Sequence, residues 1–203
     1  YSDKRFVKAY GVGRYTPRRI SIRIADDPNN LAYKVPPDHT RVRRLALAAF
    51  STRQAERERG SVQAIIDAAI DDFEAAGQPS DWEAHVAWNV PLHVISGILG
   101  VTRDEIPTFR GWVDDVASPT STSERKDEAR KALLDYIAGL IAERRQRPTD
   151  DLLYVLVSAR DDDDMLSEEE LIKLSMNLFL AGFETTAAQL GSTMWTLMAH
   201  RNL

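Results

Sequence analysis

The sequence from Leu180 to Ala188 reads LAGFETTAA and lies inside the longest helix that the pattern predicts, residues 167–199. Gly182 breaks the local rule for a stable helix, because an interior glycine costs about 0.5–1 kcal/mol relative to alanine. An acid and two hydroxyls follow, and Thr185 shares a helical face with small residues on either side. Its hydroxyl can bond back to a carbonyl one turn earlier. This stretch therefore needs a specific explanation.

Two interpretations of this stretch stay open from its spacing alone. In the first, Glu184 and Thr185 form a proton-relay pair beside a flat or bulky cofactor, which the small neighbouring residues allow to approach. In the second, Gly182 serves a close helix–helix crossing and Glu184 reaches solvent. The local pattern favours neither.

A second unusual stretch, residues 35–45, reads VPPDHTRVRRL and begins another predicted helix. At about 100° per residue, His39 and Arg43 are about 40° apart. The same face carries Ala46, Leu47 and Phe50. An arginine on such a face requires an anion, because an unpaired buried charge is costly. A guanidinium suits a carboxylate or phosphate ligand, but an internal salt bridge with a packed histidine also fits, and spacing alone favours that bridge.

This basic helix also raises the possibility of DNA recognition. Arg41 and Arg44 are expected to point toward solvent, whereas His39 and Arg43 are expected to face inward. The 26 basic and 31 acidic residues give a formal charge of -5, whereas nucleic-acid binding usually shows a basic surplus. Both features weaken the DNA hypothesis.

Length and composition indicate one domain or part of a larger one, at about 100–200 residues per domain. The 203 residues are 43% hydrophobic and 28% charged, which is typical of a globular chain. The absence of cysteine excludes disulfides, thiolate ligands and a cysteine nucleophile in this chain. No apolar run reaches the roughly 18 residues of a membrane-spanning helix. We expect a soluble, cytoplasmic piece of a longer protein.

The predicted architecture is mainly α. Residues 1–37 are expected to be mostly loop, because they contain several prolines and glycines and no sustained periodicity. The acidic run 161–164 is interpreted as a solvated turn, since it lacks the glycine and distal glutamate of a calcium loop. The predicted helices are 38–50, 57–76, 81–99, 104–117, 124–146, 149–159 and 167–199.

Together the two stretches resemble a known family. Residues 181–186, AGFETT, look like the oxygen-binding signature on the central I helix of the cytochrome P-450 haem-thiolate monooxygenases. Residues 36–44, PPDHTRVRR, are similar to the C-helix motif of the soluble bacterial members. Stretches near residues 2–6, 90–101 and 150–171 agree in order with the segment after the B helix, the E helix with its exit, and the run into the I helix.

The resemblance implies an incomplete P-450 fold, running from the B–C region through the I helix. The chain, residues 1–203, is then a single partial domain. Residues 1–37 would form the B–C loop region, 38–166 the helices C to H, and 167–199 the I helix. The family's E-x-x-R pair and cysteine-bearing haem loop follow the I helix and are absent from this sequence.

The resemblance also implies the residues that bind the cofactor. His39 and Arg43 would bind the haem propionates, which would supply the anion that Arg43 requires. Ala181 and Gly182 would lie against the distal haem face, where their small size leaves room for oxygen. The cofactor would be haem b, with its axial thiolate outside this chain.

Catalytic roles are implied for two further residues of the signature. Thr185 would hold the hydroperoxo intermediate or a water, and Glu184 would help to deliver protons for O–O cleavage. Asn177, one turn before Ala181, would face the substrate pocket.

The function implied is that of part of a haem-dependent monooxygenase, which activates O2 and inserts one oxygen atom into a small organic substrate. The reaction would be C–H hydroxylation or similar, in bacterial secondary metabolism. Electrons would arrive from a ferredoxin or similar partner, with Arg41 or Arg44 contributing to its docking surface. No nucleic-acid partner is expected, and no membrane segment in this chain. The alternative is a haemless relative that binds and activates a partner enzyme, which the absence of cysteine suggests.

Overall fold

The computed structural model describes residues 31, 34–118, 120–159 and 164–200, and every regular element in these ranges is helical. A 3-10 turn, Ala48–Phe50, follows the first helix, and a π-helical turn, Glu83–Ala87, precedes the third. The expectation of a mainly α architecture is confirmed. The helices are α1 (Asp38–Leu47), α2 (Thr52–Ala75), α3 (Asn89–Ile98), α4 (Ile106–Ala117), α5 (Ser123–Gln146), α6 (Leu152–Ser158) and α7 (Glu168–Ala199).

The prediction of mostly loop for residues 1–37 falls almost wholly outside the described ranges. Only residues 31 and 34–37 of that segment are described, and none of them is helical. The first three residues of the acidic run, 161–163, are likewise outside the description. None of the helices in the described part of the chain combines the length and apolar character that crossing a bilayer requires.

Two helices differ from the sequence prediction for identifiable reasons. The helix α2 begins at Thr52 rather than residue 57, because Ser51 caps it by accepting a hydrogen bond from the Gln54 amide. The predicted helix 81–99 is interrupted by the π-helical turn that ends four residues before Pro91. Proline cannot donate to the carbonyl one turn earlier and its ring crowds that turn, so the helix is irregular there.

The core is organised around α7, which packs against α3 and α5. Its buried side chains recur every four residues and include Phe179 and Phe183. The Phe179 ring lies edge-on to Phe109 of α4, with centroids 4.7 Å apart, and Phe183 lies edge-on to Trp88 at 5.2 Å. From residue 188 to residue 200, by contrast, no side chain is buried. The first half of α7 is therefore a core helix, and its second half is exposed.

A buried arginine fixes the end of α3 against α5 and α6. The Arg144 guanidinium is almost fully buried and donates to Asp151 Oδ2 at 2.8 Å and to the Gly100 carbonyl at 3.0 Å. Gly100 has a φ of 78°, which favours glycine, and its small size leaves room for the guanidinium. This contact positions the last turn of α3, which carries Ile98 and lines the cavity described below.

Candidate functional site

The signature residues of α7 lie where its core face gives way to an exposed one. Ala181, Glu184 and Thr185 are exposed, whereas Phe183 and Ala187 between and beyond them are buried. The Thr185 hydroxyl donates a short hydrogen bond to the Ala181 carbonyl. This is the back-bond to the preceding turn that the sequence suggested. The acid and the hydroxyl are thus on the accessible side of the helix.

Gly182 allows a close crossing between α7 and α3. A Cβ placed at this position would lie 3.1 Å from Ile95 Cδ1 and 3.6 Å from Ile95 Cγ1. Contacts of about 3.1 Å are tighter than ordinary van der Waals packing, so a larger residue would have to displace the isoleucine. The packing interpretation, which spacing alone left open, therefore accounts for this glycine.

Gly182 also lines a largely apolar cavity of about 570 Å³ between α7, α3 and the junction of α1 with α2. Ala181 and Leu178 of α7 form one wall, and Phe50, which follows α1, forms another. The structure therefore brings the small signature residues of α7 and the 3-10 turn that follows α1 to one cavity. Four other predicted site residues, His39, Arg43, Glu184 and Thr185, are not part of its wall.

The predicted anion-binding pair lies on α1 outside the core. The helix buries Val42, Leu45 and Ala46, while Arg43 is exposed and His39 is partly buried. The expectation that the pair faces inward is therefore wrong for Arg43. The reason is that most buried residues of α1 lie one position earlier in the sequence than the predicted ones, so the core-facing side of the helix is rotated away from the predicted face.

The exposed side of α1 combines a cation with apolar surface. Leu47 and Phe50, which follow Arg43 at spacings of four and seven, are each 54% exposed. Neither the His39 ring nor the Arg43 guanidinium has a hydrogen bond or ion pair in the structure described. Among the described residues the internal salt bridge that spacing favoured is thus not made, and the exposed guanidinium is accessible to an anion.

Arg41 does not point to solvent as the sequence suggested. Its side chain is partly buried, donates to Asp164 Oδ1 at 3.2 Å and forms a short ion pair with Glu170. The prediction is wrong because these partners lie 123 and 129 residues further along the chain, beyond the reach of helical periodicity. Arg44 is exposed, as expected.

Asn177 lies one turn before Ala181 and is partly buried. Its Nδ2 atom is inaccessible and has no hydrogen-bond partner among the described residues. A buried amide donor of this kind normally has an acceptor. The residue does not line the 570 Å³ cavity.

Sequence reasoning missed two residues that shape the site. Ile95 defines how closely α3 approaches Gly182, and Glu170 holds Arg41. The capping box formed by Ser167 and Glu170 was visible as a serine followed three residues later by a glutamate. The pairing of Glu170 with Arg41 of α1, by contrast, could not be recognised from the local sequence.

Comparison with known proteins identifies the family. The family model described as cytochrome P450 matches residues 5–203. Mycinamicin IV hydroxylase/epoxidase of Micromonospora griseorubida is 37% identical over 202 residues, which cover 99% of this chain and 50% of that protein. Nocardicin C N-oxygenase of Nocardia uniformis subsp. tsuyamanensis is 36% identical over 198 residues, covering 97% of this chain and 49% of that protein.

The solved structures agree with the sequence comparison. The LnmA cytochrome P450 hydroxylase from the leinamycin biosynthetic pathway of Streptomyces atroolivaceus S-140 matches with a TM-score of 0.84 and 35% identity, covering 95% of this chain and 48% of that one. The chain spans about half the length of the relatives it matches. Sequence motifs, helical architecture and both comparisons together show that the chain belongs to the cytochrome P450 family.

Proposed function

We propose that this chain is part of a bacterial haem-dependent monooxygenase and carries its propionate-binding helix and its oxygen-side helix. One observation carries the proposal: the motif residues of both helices lie on uncovered faces, Arg43 on α1 and Ala181 with Thr185 on α7. Residues of a purely structural motif would be expected in the core. Family membership supports the same conclusion.

The described residues of α1 fit one edge of a haem. The group has an apolar ring and two carboxylates, and α1 offers the corresponding pair of surfaces. Arg43 supplies an exposed guanidinium that has no ion-pair partner among the described residues, and exposed Leu47 and Phe50 supply apolar contact. His39, one turn before Arg43, would donate a second hydrogen bond to a propionate. Charge-assisted bonds of this kind are shorter and stronger than neutral ones.

The residues of α7 suit the oxygen side. When bound, haem supplies O2 activation and O–O cleavage, which an axial thiolate favours. Ala181 would leave space beside a bound haem, because its side chain is only a methyl group. The Thr185 hydroxyl, now donating to the Ala181 carbonyl, can instead hold a water or donate toward the ligand. The exposed Glu184 carboxylate can pass protons from solvent to that hydroxyl.

The axial ligand must come from outside these 203 residues, since they contain no cysteine. We assign haem b as the cofactor and place the cysteine loop and the E-x-x-R pair in the remainder of the polypeptide. The comparison relatives are about twice as long as this chain, which leaves room for both. Haem binding by the full-length protein would exclude the alternative of a haemless auxiliary protein.

The substrate that we propose is a small organic molecule of secondary metabolism. Relatives are named for mycinamicin IV and nocardicin C, and a further one for polyketide biosynthesis. Asn177 would contact it, since its buried amide nitrogen has no acceptor in the part of the chain that the structure describes. Electrons would come from a ferredoxin or similar protein in the cytoplasm, and exposed Arg44 would contribute to its docking surface.

The experiment that tests this proposal compares haem retention in the full-length protein and its Arg43→Ala variant. Loss of charge-assisted hydrogen bonds should speed haem transfer to a haem-free acceptor protein by about 10- to 100-fold. Arg53→Ala, which removes another exposed arginine at the start of α2, is the control and should leave the rate within about twofold. Equal rates for both variants would remove Arg43 from the proposed site.

A further inference from the structure

Glu170, in the first turn of α7, is a buried carboxylate with two separate tasks. Its Oε2 accepts a hydrogen bond from the Ser167 amide at 3.0 Å, and the Ser167 hydroxyl accepts one from the Glu170 amide at 3.2 Å, which closes a capping box. Its Oε1 pairs with Arg41 and lies 3.8 Å from Lys34 Nζ. The side chain of Glu170 is only 10% exposed and that of Lys34 only 9%. One carboxylate thus caps α7 and joins it to the segment that contains α1.

Arg41 reinforces this connection through the loop that precedes α7. Its Nη1 donates to Asp164 Oδ1 at 3.2 Å, to Asp164 Oδ2 at 3.4 Å and to the Met165 carbonyl at 3.5 Å. Its Nη2 is left for Glu170. Both sides of the guanidinium are therefore held by acceptors in the loop before α7 and in the first turn of that helix.

Arg41 lies on the face of α1 opposite the proposed haem-binding pair. It is two residues from both His39 and Arg43, and two residues correspond to about 200° around a helix. Both positions belong to one uninterrupted helix of 10 residues. A contact that fixes Arg41 on one face of α1 therefore also fixes the position of His39 and Arg43 on the other face.

We propose that Arg41 and Glu170 are positioning residues, which hold the propionate-binding face of α1 at a fixed place relative to α7. This inference rests on the proposed function, because it concerns the haem-binding role of His39 and Arg43. Neither Arg41 nor Glu170 contacts the proposed ligand. Their effect on haem is transmitted by the placement of α1.

The first turn of α7 contains a matched pair that separates positioning from general stabilisation. Glu168 forms an ion pair with Arg145 of α5, so it has the same kind of partner at the same helix terminus. That pair does not involve α1. Removing Arg41 or removing Arg145 therefore takes the arginine partner away from a glutamate in the first turn of α7. Only the removal of Arg41 releases the proposed haem-binding helix.

The experiment uses the full-length protein loaded with haem and four variants: Arg41→Ala, Arg41→Lys, Glu170→Gln and Arg145→Ala. Glutamine can still close the capping box, and Lys34 remains beside Glu170 when Arg41 is removed, so both changes should preserve the fold. Amide hydrogen exchange reports the protection of residues 38–47. Transfer of haem to a haem-free acceptor protein reports how firmly it is held.

We expect Arg41→Ala and Glu170→Gln to speed exchange across residues 38–47 and haem transfer by about tenfold each, since each loses a charge-assisted interaction. Arg145→Ala should leave both within about twofold, and Arg41→Lys should retain most of the protection because it keeps the charge.

Two results would overturn the inference. One is unchanged exchange of residues 38–47 in Arg41→Ala, which would show that the ion pair does not hold α1. The other is equal acceleration of haem transfer by Arg145→Ala, which would indicate general weakening of the α7 terminus. Failure of the unmodified protein to bind haem would instead contradict the proposed function, while the exchange of residues 38–47 would still decide whether the ion pair holds α1.

Discussion

The Thr185 hydroxyl is hydrogen-bonded within its helix and lies on an exposed face. Its bond to the Ala181 carbonyl keeps it satisfied on an exposed helical face. The Ala181 carbonyl also accepts the backbone hydrogen bond of the helix. The Thr185 hydroxyl can therefore give up its own bond to that carbonyl at little cost to the helix. This makes Thr185 suited to holding a water or a proton beside a ligand, as the proposed function requires.

Replacing Thr185 by alanine should uncouple electron consumption from product formation. The variant loses the hydroxyl that we propose holds a proton or water, so we expect product formed per reductant consumed to fall by about tenfold or more. Because Thr185 is exposed, the free energy of unfolding should change by less than about 0.5 kcal/mol. The measurement is product yield and peroxide release in the reconstituted enzyme. Thr186→Ala, next along the same exposed segment, is the control; uncoupling of equal size there would contradict the role given to Thr185.

At the scale of single residues, the sequence could predict what depends on neighbours along the chain. The back-bond of Thr185 followed from its side-chain chemistry, and the cap at Ser167 from the glutamate three residues later. The partners of Arg41 could not be predicted, because Asp164 and Glu170 are brought to it only by the tertiary fold. The exposed position of Arg43 was missed for a different reason, since α1 buries Val42 and Leu45 instead of the face that was predicted.

At the scale of elements, the two helices α5 and α7 were predicted most accurately. The bounds of α5 and α7 differ from the prediction by one residue at most, and Thr122 and Ser167 cap them. The start of α2 was missed because its first turns are polar and show no apolar periodicity. Gly182 indicated that another helix crosses α7 closely, but the sequence did not indicate that Ile95 of α3 makes this contact.

Enlarging Gly182 should separate these two helices. The two methyl groups of Gly182→Val have to occupy the space of Ile95, so we expect a loss of about 1–3 kcal/mol in the free energy of unfolding. Chemical denaturation of the protein and of the variant measures it. Combining the change with Ile95→Ala should recover part of the loss, since the smaller side chain frees space. A double variant whose losses simply add would show that the two residues are not in contact.

At the scale of the whole molecule, several large apolar side chains are uncovered. Trp195 and Met198 near the end of α7 are 72% and 63% exposed. Leu47 and Phe50 on the side of α1 are also largely exposed. Exposed apolar surface favours association at about 25 cal/mol per Å². These faces are the ones that we assign to haem and to the rest of the polypeptide.

The 203-residue chain expressed alone should therefore self-associate and bind an apolar dye. Sedimentation velocity and dye fluorescence measure the two effects. The full-length protein loaded with haem should show neither, because its apolar faces are covered. A monomeric chain that melts cooperatively and binds no dye would contradict this assignment and favour an independent binding protein.

In the proposed function, α1 and α7 flank one haem whose axial thiolate lies elsewhere in the polypeptide. The most direct measurement is the absorption spectrum of the full-length protein after reduction and addition of carbon monoxide. We predict the shifted Soret band of a thiolate-ligated haem, with less haem retained by Arg43→Ala. A spectrum without a haem band, or with the unshifted band of a haem that lacks a thiolate, would contradict the account.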